Sequence, residues 1–515
     1  MISASARAAA AARPIVSAAR LVAVPRLAAS PSLVPHEYEI LGAGLLALAL
    51  FGAAFGVHVL IAAVPSVLLA VGVSAFRRAP FRLLLVDVWS AAFAYLYLSD
   101  LVLTQEGVLV LFPPDVTVSA EAFVAASFGA SLLGAAWFDR RARRGAAKVP
   151  APPAYGLRRR APLALNAMLL ALTGIVVAFI LWGIGPSQLF ATARVERSFE
   201  DTASRPLFIA AMVVQPILAA YVTRRHRERG IVLWIAWLVV PLSALALYAS
   251  GTRFYLGFML CGVLHYALRP LEPMSRRRRM AIAAAAVAFL ALQGTMRASR
   301  TTGLVDLDAG EIAGTLTNPE TFLSSEGLLR VNAWVHEKAA WNDPKRPFEN
   351  AFILYWWVPR SWWPDKPAME GRRLIEDVMD EGWFSVNHSV AGGFAMPALL
   401  DFGPWLGVLV AGLYGVALGA VQRFAWRHRS LCDPASLPVS LAAFGVFFTA
   451  RGLHVSLIFV SLCLLWMLPV LWLERRAPAS VPVRGPVRGP VRVPVRREVR
   501  PAVGRRVAVP RRAYA

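Results

Sequence analysis

Long apolar stretches separated by polar connections run through most of the chain. A helix of about 20 apolar residues crosses a hydrocarbon core of roughly 30 Å. The pattern therefore predicts an all-α polytopic membrane protein with about twelve transmembrane helices. The first 37 apolar residues would form a helix about 55 Å long, so a fold back near His58 or Pro65 is expected. The predicted spans are 40–57, 59–76, 82–104, 117–138, 162–185, 206–223, 231–249, 254–268, 280–296, 404–422, 436–450 and 453–473.

Basic residues concentrate in every second connection between these spans. The connection at 105–116 carries Glu106 and Asp115 but no basic residue. Since short basic loops stay on the cytoplasmic side, the alternation predicts that both termini are cytoplasmic. The basic connections carry Arg77–Arg78, RRARR at 140–144, RRR at 158–160, RRHRER at 224–229, SRRRR at 275–279, and Arg423, Arg427 and Arg429.

Composition refines this organisation at the two ends of the chain. Of 515 residues, 57% are hydrophobic and 17% charged, with a net charge of +23 that is concentrated in loops and the tail. This distribution favours contact with anionic lipids over nucleic acid. Residues 1–39 are predicted to be a disordered basic cytoplasmic segment, because they lack the apolar core and cleavage signal of a targeting peptide. Residues 474–515, rich in Pro, Arg and Val, are predicted to be a disordered cytoplasmic tail on lipid headgroups, with nucleic acid as the alternative partner.

One connection, 297–403, is far longer than the others and lies between helices 1–9 (40–296) and helices 10–12 (404–473). The alternation places it on the external, periplasmic side. It contains nearly half of the 31 acidic residues. Connections in compact proteins are usually about 4–6 residues long, so a loop of this size is expected to be functional. Stretches 319–341 and 368–382 are predicted to be amphipathic helices along the interface.

Arginines also occur where the alternation does not expect them, on the external side. Arg253, Arg297, Arg300 and Arg451 all lie at the ends of predicted spans. A guanidinium group at a membrane boundary is costly unless it meets an anion or a carboxylate. Its planar fork suits phosphate oxygens, so the four arginines indicate an anionic ligand held between helices. The alternative is that each pairs with a loop acid or reaches lipid headgroups.

The external loop contains an aromatic and cationic stretch, LYWWVPRSWWPDKPAMEG, at 354–371. Tryptophan favours the bilayer interface, so its four tryptophans could form an aromatic belt. They could instead form a platform on which sugar rings stack. In that interpretation the prolines fix the backbone, and Arg360 and Lys366 project from it.

Five short motifs together resemble the O-antigen polymerase family, the oligosaccharide repeat-unit polymerases of bacterial surface polysaccharide. The resemblance covers approximately residues 160–475. Many members carry an acidic residue shortly before the phenylalanine-glycine pair, where this chain has Pro397 and, next to the pair, Asp401. The motifs are GTR (251–253), PRSWWPDKP (359–367), GG (392–393), DFGPWLG (401–407) and ARG (450–452).

The resemblance implies a glycosyltransferase of the bacterial inner membrane that needs no metal and no cofactor. Such an enzyme transfers a growing glycan from undecaprenyl diphosphate to a new lipid-linked repeat unit, outside the inner membrane. A chain-length regulator and a flippase are the implied partners. Arg253, Arg360 and Arg451 are the expected pyrophosphate ligands, followed by Lys366, Arg297 and Arg300, with Trp362 and Trp363 as sugar contacts. Fixed arginines would stabilise the charge that develops on the leaving diphosphate.

A general base should remove the proton of the acceptor hydroxyl. Histidine titrates near neutral pH, so His388 ranks first and His336 second, followed by Asp401. Each of these side chains also fits a surface or packing role. The Asp306–Leu307–Asp308 triplet resembles a metal-binding DxD motif, but an isolated match in an acidic loop is a weak signal.

Two further functions remain open from the residues alone. An O-antigen ligase would share the topology and the donor but use lipid A core as its acceptor. A flippase or transporter of lipid-linked oligosaccharides would predict internal repeats, and no convincing repeat is found. A membrane scaffold for polysaccharide export would leave the external arginines unexplained.

Overall fold

The computed structural model describes most of the helical part of the chain. The residues that the structure describes are 84% helical and include no strand. Six of its helices are long and apolar enough to cross a membrane. The all-helical prediction is thus confirmed, whereas the count of twelve spans and their orientation stay predictions. The described ranges are 32–78, 82–103, 112–146, 163–184, 205–225, 230–249, 253–269, 271–285, 327–342, 348–358, 361–367, 391–429 and 435–476, with a few isolated positions.

The helices form two groups, each around its own apolar core. The first core is built mainly by α1–α4, α9 and α11, and the second by α5–α8 and α13. Helix α12 contributes side chains to both cores and so lies between the two groups. In chain order the helices are α1 (His36–Phe55), α2 (Leu60–Arg77), α3 (Leu85–Leu103), α4 (Pro114–Ala146), α5 (Leu163–Ala178), α6 (Arg205–Arg224), α7 (Ile231–Ala249), α8 (Arg253–Leu268), α9 (Leu328–Glu337), α10 (Phe352–Tyr355), α11 (Met396–Arg427), α12 (Ser436–Arg451) and α13 (Leu453–Arg476).

Small residues let the backbones of the first group approach closely. A Cβ built at Gly415 of α11 would lie 1.9 Å from the carbonyl oxygen of Ser131 in α4. A Cβ at Gly42 of α1 would lie 2.8 Å from the carbonyl oxygen of Gly129. Contacts between small residues are typical of helices packed in a membrane, where close van der Waals contact replaces the hydrophobic drive.

The turn between α1 and α2 lies where the apolar pattern predicted a fold back. Gly56 ends α1 with a left-handed φ of 66°, a conformation that glycine adopts at little cost. Glu121 of α4 accepts the Val59 amide at 2.8 Å and contacts His58 Nδ1 at 2.9 Å. A buried carboxylate therefore holds the start of α2, while Pro65 lies inside that helix.

Buried ion pairs gather where α2, α4, α6, α11 and α13 end and α3 begins. Each pair joins an arginine of a predicted cytoplasmic connection to a carboxylate. We call this region the basic end. The pairs are Arg78–Asp87, Arg423–Asp139 and Arg224–Glu474.

Helices α4 and α11 run parallel and so define a second end. Arg423 meets Asp139 at the basic end, and a Cβ on Gly407 would lie 3.2 Å from the Phe123 ring farther along. The 16 residues from 123 to 139 extend about 24 Å in a helix. We call the end at which α4 and α11 begin the opposite end.

Candidate functional site

Helix α11 reverses direction at Gly403 instead of running straight. Gly403 has φ 70° and ψ −178°, outside the helical region. A Cβ on Gly407 would lie 3.1 Å from the carbonyl oxygen of Ala398, although nine residues of straight helix span about 13.5 Å. Residues 396–402 therefore fold back against the helix that begins at Pro404. We call residues 391–411 the Gly403 hairpin.

The first arm of the hairpin lies inside the helical bundle at the opposite end. Residues 392–400 are all buried, although the apolar pattern assigned them to the external loop. Non-helical backbone at membrane depth is tolerated only where protein or water satisfies its polar groups. The contacts of this segment are thus central to the site.

Backbone hydrogen bonds join the GG motif to the ARG motif. The amide of Gly393 donates to the Arg451 carbonyl at 2.9 Å, and that of Phe394 donates to the Ala450 carbonyl at 3.2 Å. Gly393 has φ +91°, and a Cβ there would lie 3.0 Å from the Tyr97 hydroxyl oxygen. Two motifs about 60 residues apart in sequence are therefore paired, and glycine is required at the junction.

Helix α9 of the long loop is tied to the same hairpin. The buried amide of Asn332 donates from Nδ2 to the Gly392 carbonyl at 3.0 Å and to the Leu328 carbonyl at 2.7 Å. Helix α9 lies within the predicted amphipathic stretch 319–341. One amide thus fixes the position of the loop helix on the GG motif.

Arg253, the last residue of the GTR motif, and Arg451 of the ARG motif lie at neighbouring helix ends. Tyr266 of α8 contacts Ser436 of α12 at 3.3 Å, and a Cβ on Gly257 would lie 2.3 Å from the Phe448 ring. These contacts make the two helices antiparallel, which brings Arg253, the first residue of α8, next to the last residue of α12. The structure describes the backbone of Arg253 but not its side chain.

The aromatic stretch folds against the first turn of α13. Lys366 is buried, and its Nζ donates to the carbonyl oxygens of Trp356 at 2.5 Å and Val358 at 2.9 Å. The same ammonium lies 5.7 Å from the centroid of the Phe352 ring. That ring lies 6.0 Å from the His454 ring, just beyond the ARG motif. The stretch therefore belongs to the same cluster of motifs.

The tryptophans predicted to contact sugars are at the surface. Trp362 is exposed, and Trp363 lies 5.3 Å from the Tyr355 ring with a smaller exposed fraction. Neither is placed inside the bundle.

His336 has the geometry of an uncharged base. Its Nδ1 lies 2.8 Å from the Asn332 carbonyl oxygen, so this nitrogen carries the proton and Nε2 the lone pair. The buried Nε2 has no hydrogen-bond partner among the described residues. The centroid of the His336 ring lies 5.4 Å from that of the Trp341 ring and 5.8 Å from that of the Phe123 ring. Burial lowers the pKa of His336, and the hydrogen bond to Asn332 only partly offsets this. The imidazole is therefore neutral near pH 7.

Asp401 ties a loop turn to α11. Its Oδ2 accepts the backbone amide of Asn350 at 2.9 Å and the side-chain Nδ2 at 2.6 Å. The Tyr414 hydroxyl donates to Asn350 Oδ1 at 2.6 Å. These contacts hold the 3₁₀ turn Glu349–Ala351 in place. The role of Asp401 as a base stays a prediction.

Several predicted site residues lie outside the described part of the chain. They are Arg297, Arg300, Arg360 and His388, together with the Asp306–Asp308 triplet and the predicted helix 368–382. Among the residues that are described, no three His, Cys, Asp or Glu side chains are grouped so that they could hold a metal ion.

Three residues at the site were not singled out from the sequence. Asn332 and Tyr97 were inconspicuous, because a single amide and a single phenol in apolar helices give no pattern. His454 follows the ARG motif and could have been noted there. The hairpin also had a signal, since Gly392–Gly393 and Gly403–Pro404 flank a short apolar run.

No protein-family model matches the chain, and neither curated proteins nor solved structures are significantly similar to it. Over the part of the chain that the structure describes, the fold and the composition define a helical protein with six helices suited to crossing a membrane.

Proposed function

We propose that the chain is an integral-membrane glycosyltransferase that polymerises undecaprenyl-diphosphate-linked oligosaccharide repeat units. In this proposal twelve helices cross the bacterial inner membrane, and the basic end and both termini are cytoplasmic. The opposite end then faces the periplasm, where the lipid-linked donor brings its own leaving group. The product is an O-antigen, capsule or exopolysaccharide chain.

The observation that carries the proposal is the convergence of the motifs at one end. The GG and ARG motifs pair through their backbones. Arg253 of the GTR motif lies at the neighbouring helix end, and Phe352, just before the aromatic stretch, packs on the helix that follows ARG. A set of motifs with no common role would not need to meet in this way. The convergence supports a single site in which arginines from several helix ends bind one anion.

The chemistry of the step assigns a task to this site. The acceptor hydroxyl oxygen forms a bond to the anomeric carbon of the donor glycan. The bond from that carbon to the diphosphate oxygen breaks, and its electron pair leaves with undecaprenyl diphosphate. The hydroxyl proton passes to a base and then to solvent. Negative charge therefore develops on the diphosphate, where fixed guanidinium groups stabilise it most effectively.

The residues divide between these tasks. Arg253, Arg360 and Arg451 would bind the diphosphate, with Lys366, Arg297 and Arg300 in support. His388 and His336 are the candidate bases. The lone pair of His336 Nε2 supports this role, since a neutral imidazole with a lowered pKa can accept a proton near pH 7. The buried position of Nε2 requires that α9 or Trp341 move when the acceptor binds.

Reconstitution of the purified chain with synthetic lipid-diphosphate repeat units tests the proposal. A ladder of products differing by one repeat unit is the expected result. A single transfer to lipid A core, with no ladder, would identify a ligase instead. Movement of the intact lipid across the bilayer without any new glycosidic bond would identify a transporter.

A further inference from the structure

A group of exposed apolar side chains lies at the opposite end of the bundle. It combines Phe348 and residues of the aromatic stretch with residues of the Gly403 hairpin. Trp362 and Trp405 are 76% and 73% exposed, far more than a tryptophan in a soluble surface usually is. We call this group the aromatic patch, and its members are Phe348, Leu354, Trp357, Trp362, Phe402 and Trp405.

The patch continues the apolar outer face of α11. The Phe348 ring lies 5.5 Å from the Phe402 ring, which joins the loop to the hairpin. Beyond Phe402, Trp405, Leu409 and Leu413 are all exposed at intervals of four residues. Residues at this spacing share one side of a helix. The loop therefore adds its aromatic side chains to a surface that faces lipid if α11 crosses a membrane.

The position of the patch along α11 matches a bilayer boundary. The 24 residues from Pro404 to Arg427 extend about 36 Å as a helix. The hydrocarbon core is roughly 30 Å thick, so its two boundaries lie close to these two residues. If the arginines of the basic end lie at one boundary, Trp405 lies at the other. The Phe348 ring, which contacts Phe402 of the hairpin, then lies close to that same level.

Two polar groups of the aromatic stretch bond to carbonyl oxygens of the stretch itself. The indole Nε1 of Trp357 donates to the Leu354 carbonyl at 2.8 Å. The Lys366 ammonium is turned inward onto the carbonyls of Trp356 and Val358. Aromatic rings that expose this much apolar surface suit the boundary between headgroups and acyl chains.

We propose that the aromatic patch is inserted in the headgroup–acyl boundary of the bilayer leaflet at the opposite end. The side chains of Phe348, Leu354, Trp357 and Trp362 then form an interfacial anchor that rests on lipid. This assigns Trp357 and Trp362 to lipid instead of to a glycan. The proposal rests on the contacts and the exposed fractions of the patch and does not depend on the reaction the protein performs.

Spin labelling in lipid nanodiscs tests this assignment. Trp357→Cys and Trp362→Cys are made separately in the full chain after Cys261, Cys432 and Cys463 are replaced by serine, and each carries a nitroxide. Leu409→Cys provides a reference for lipid, and Lys338→Cys, an exposed site directly after α9, provides one for water. Collision with oxygen reports lipid, and collision with a nickel chelate reports water.

The patch labels should resemble the label at Leu409, with an oxygen-to-nickel ratio several-fold above that at Lys338. A ratio at both patch sites equal to that at Lys338 overturns the proposal. So does strong nickel accessibility that falls when oligosaccharide is added, which would assign the tryptophans to glycan binding.

A second measurement keeps aromatic rings at both positions. Brominated lipids quench tryptophan fluorescence only within or beside the bilayer. The protein with Trp357→Phe and Trp362→Phe should therefore lose a part of the quenchable emission of the unsubstituted chain. If the substitutions instead remove only emission that brominated lipids do not quench and an aqueous quencher does, that result contradicts the proposal.

Discussion

The two ends of the helical bundle stabilise charge and backbone in different ways. At the basic end, Arg78, Arg224 and Arg423 each meet a carboxylate within the protein. At the opposite end, polar contacts instead hold irregular backbone, as where the Gly393 amide meets the Arg451 carbonyl. Left-handed glycines lie there too, at Gly393 and Gly403. The difference indicates that the basic end is a structural clamp, whereas irregular backbone shapes the opposite end, where we propose the site.

The basic end should be sensitive to the loss of one partner of a buried pair. Asp139→Ala leaves Arg423 buried without its carboxylate and removes the acceptor of the Leu33 amide. Breaking a buried pair typically costs about 3–5 kcal/mol. We expect the free energy of unfolding, measured by titration with a denaturing detergent, to fall by about this amount.

Glu39→Ala is the matched control at the same end. Glu39 pairs with the exposed Arg140 at 2.8 Å. Surface pairs contribute about 0–1 kcal/mol, so its loss should barely change unfolding. Equal effects of the two substitutions would show that the pair Arg423–Asp139 is not a clamp.

The opposite end should depend on the backbone conformation of Gly393. Gly393→Ala places a Cβ at φ +91° and 3.0 Å from the Tyr97 hydroxyl. Such strained positions cost roughly 1–3 kcal/mol, so unfolding should require less detergent. The control is Gly174→Ala in α5, where a Cβ would meet nothing within 4 Å. There alanine should stabilise the helix by about 0.5–1 kcal/mol, and a loss at both sites would argue against a special role for Gly393.

A smaller effect should come from pH, through His336 beside the hairpin. Its folded-state pKa is lowered by burial, below the unfolded value of about 6.5. The unfolded chain therefore binds a proton more readily, and stability falls as the pH decreases through about 6.5. Below the folded-state pKa this dependence levels off. Its slope cannot exceed about 1.4 kcal/mol per pH unit for one group.

His336→Gln isolates this contribution from those of the other histidines. The variant should unfold with a shallower pH dependence between about pH 5 and 7 than the unsubstituted chain. Unchanged pH dependence would show that His336 titrates alike in the folded and unfolded states.

The apolar pattern predicted much of the fold because lipid requires long helices. The turn between α1 and α2 lies beside His58, since a single helix through both stretches would be too long for a bilayer. The Gly403 hairpin was not predicted. Residues 394–400 are too few to be read as a span, and hydropathy does not distinguish a buried turn from an external loop.

The site was predicted as motifs but not as contacts. Arg253 and Arg451 were expected on one side, and the antiparallel packing of α8 and α12 places their backbones near one another. The direction of Lys366 could not be predicted, because its ammonium is held by carbonyls that only the folded turn brings within reach. Nor does the sequence show that Asp401 accepts hydrogen bonds from Asn350, a residue 51 positions away.

The central claim is that the opposite end binds a lipid diphosphate during glycan transfer. Its most direct test compares elongation by reconstituted Arg451→Ala with that by Arg77→Ala, an exposed arginine at the basic end. Loss of one stabilising donor typically lowers the rate of a transfer about 100-fold or more. We expect Arg451→Ala to lose elongation by at least about that factor while the protein still folds, and Arg77→Ala to elongate normally. Normal polymer from Arg451→Ala, or equal losses in both variants, would contradict the account.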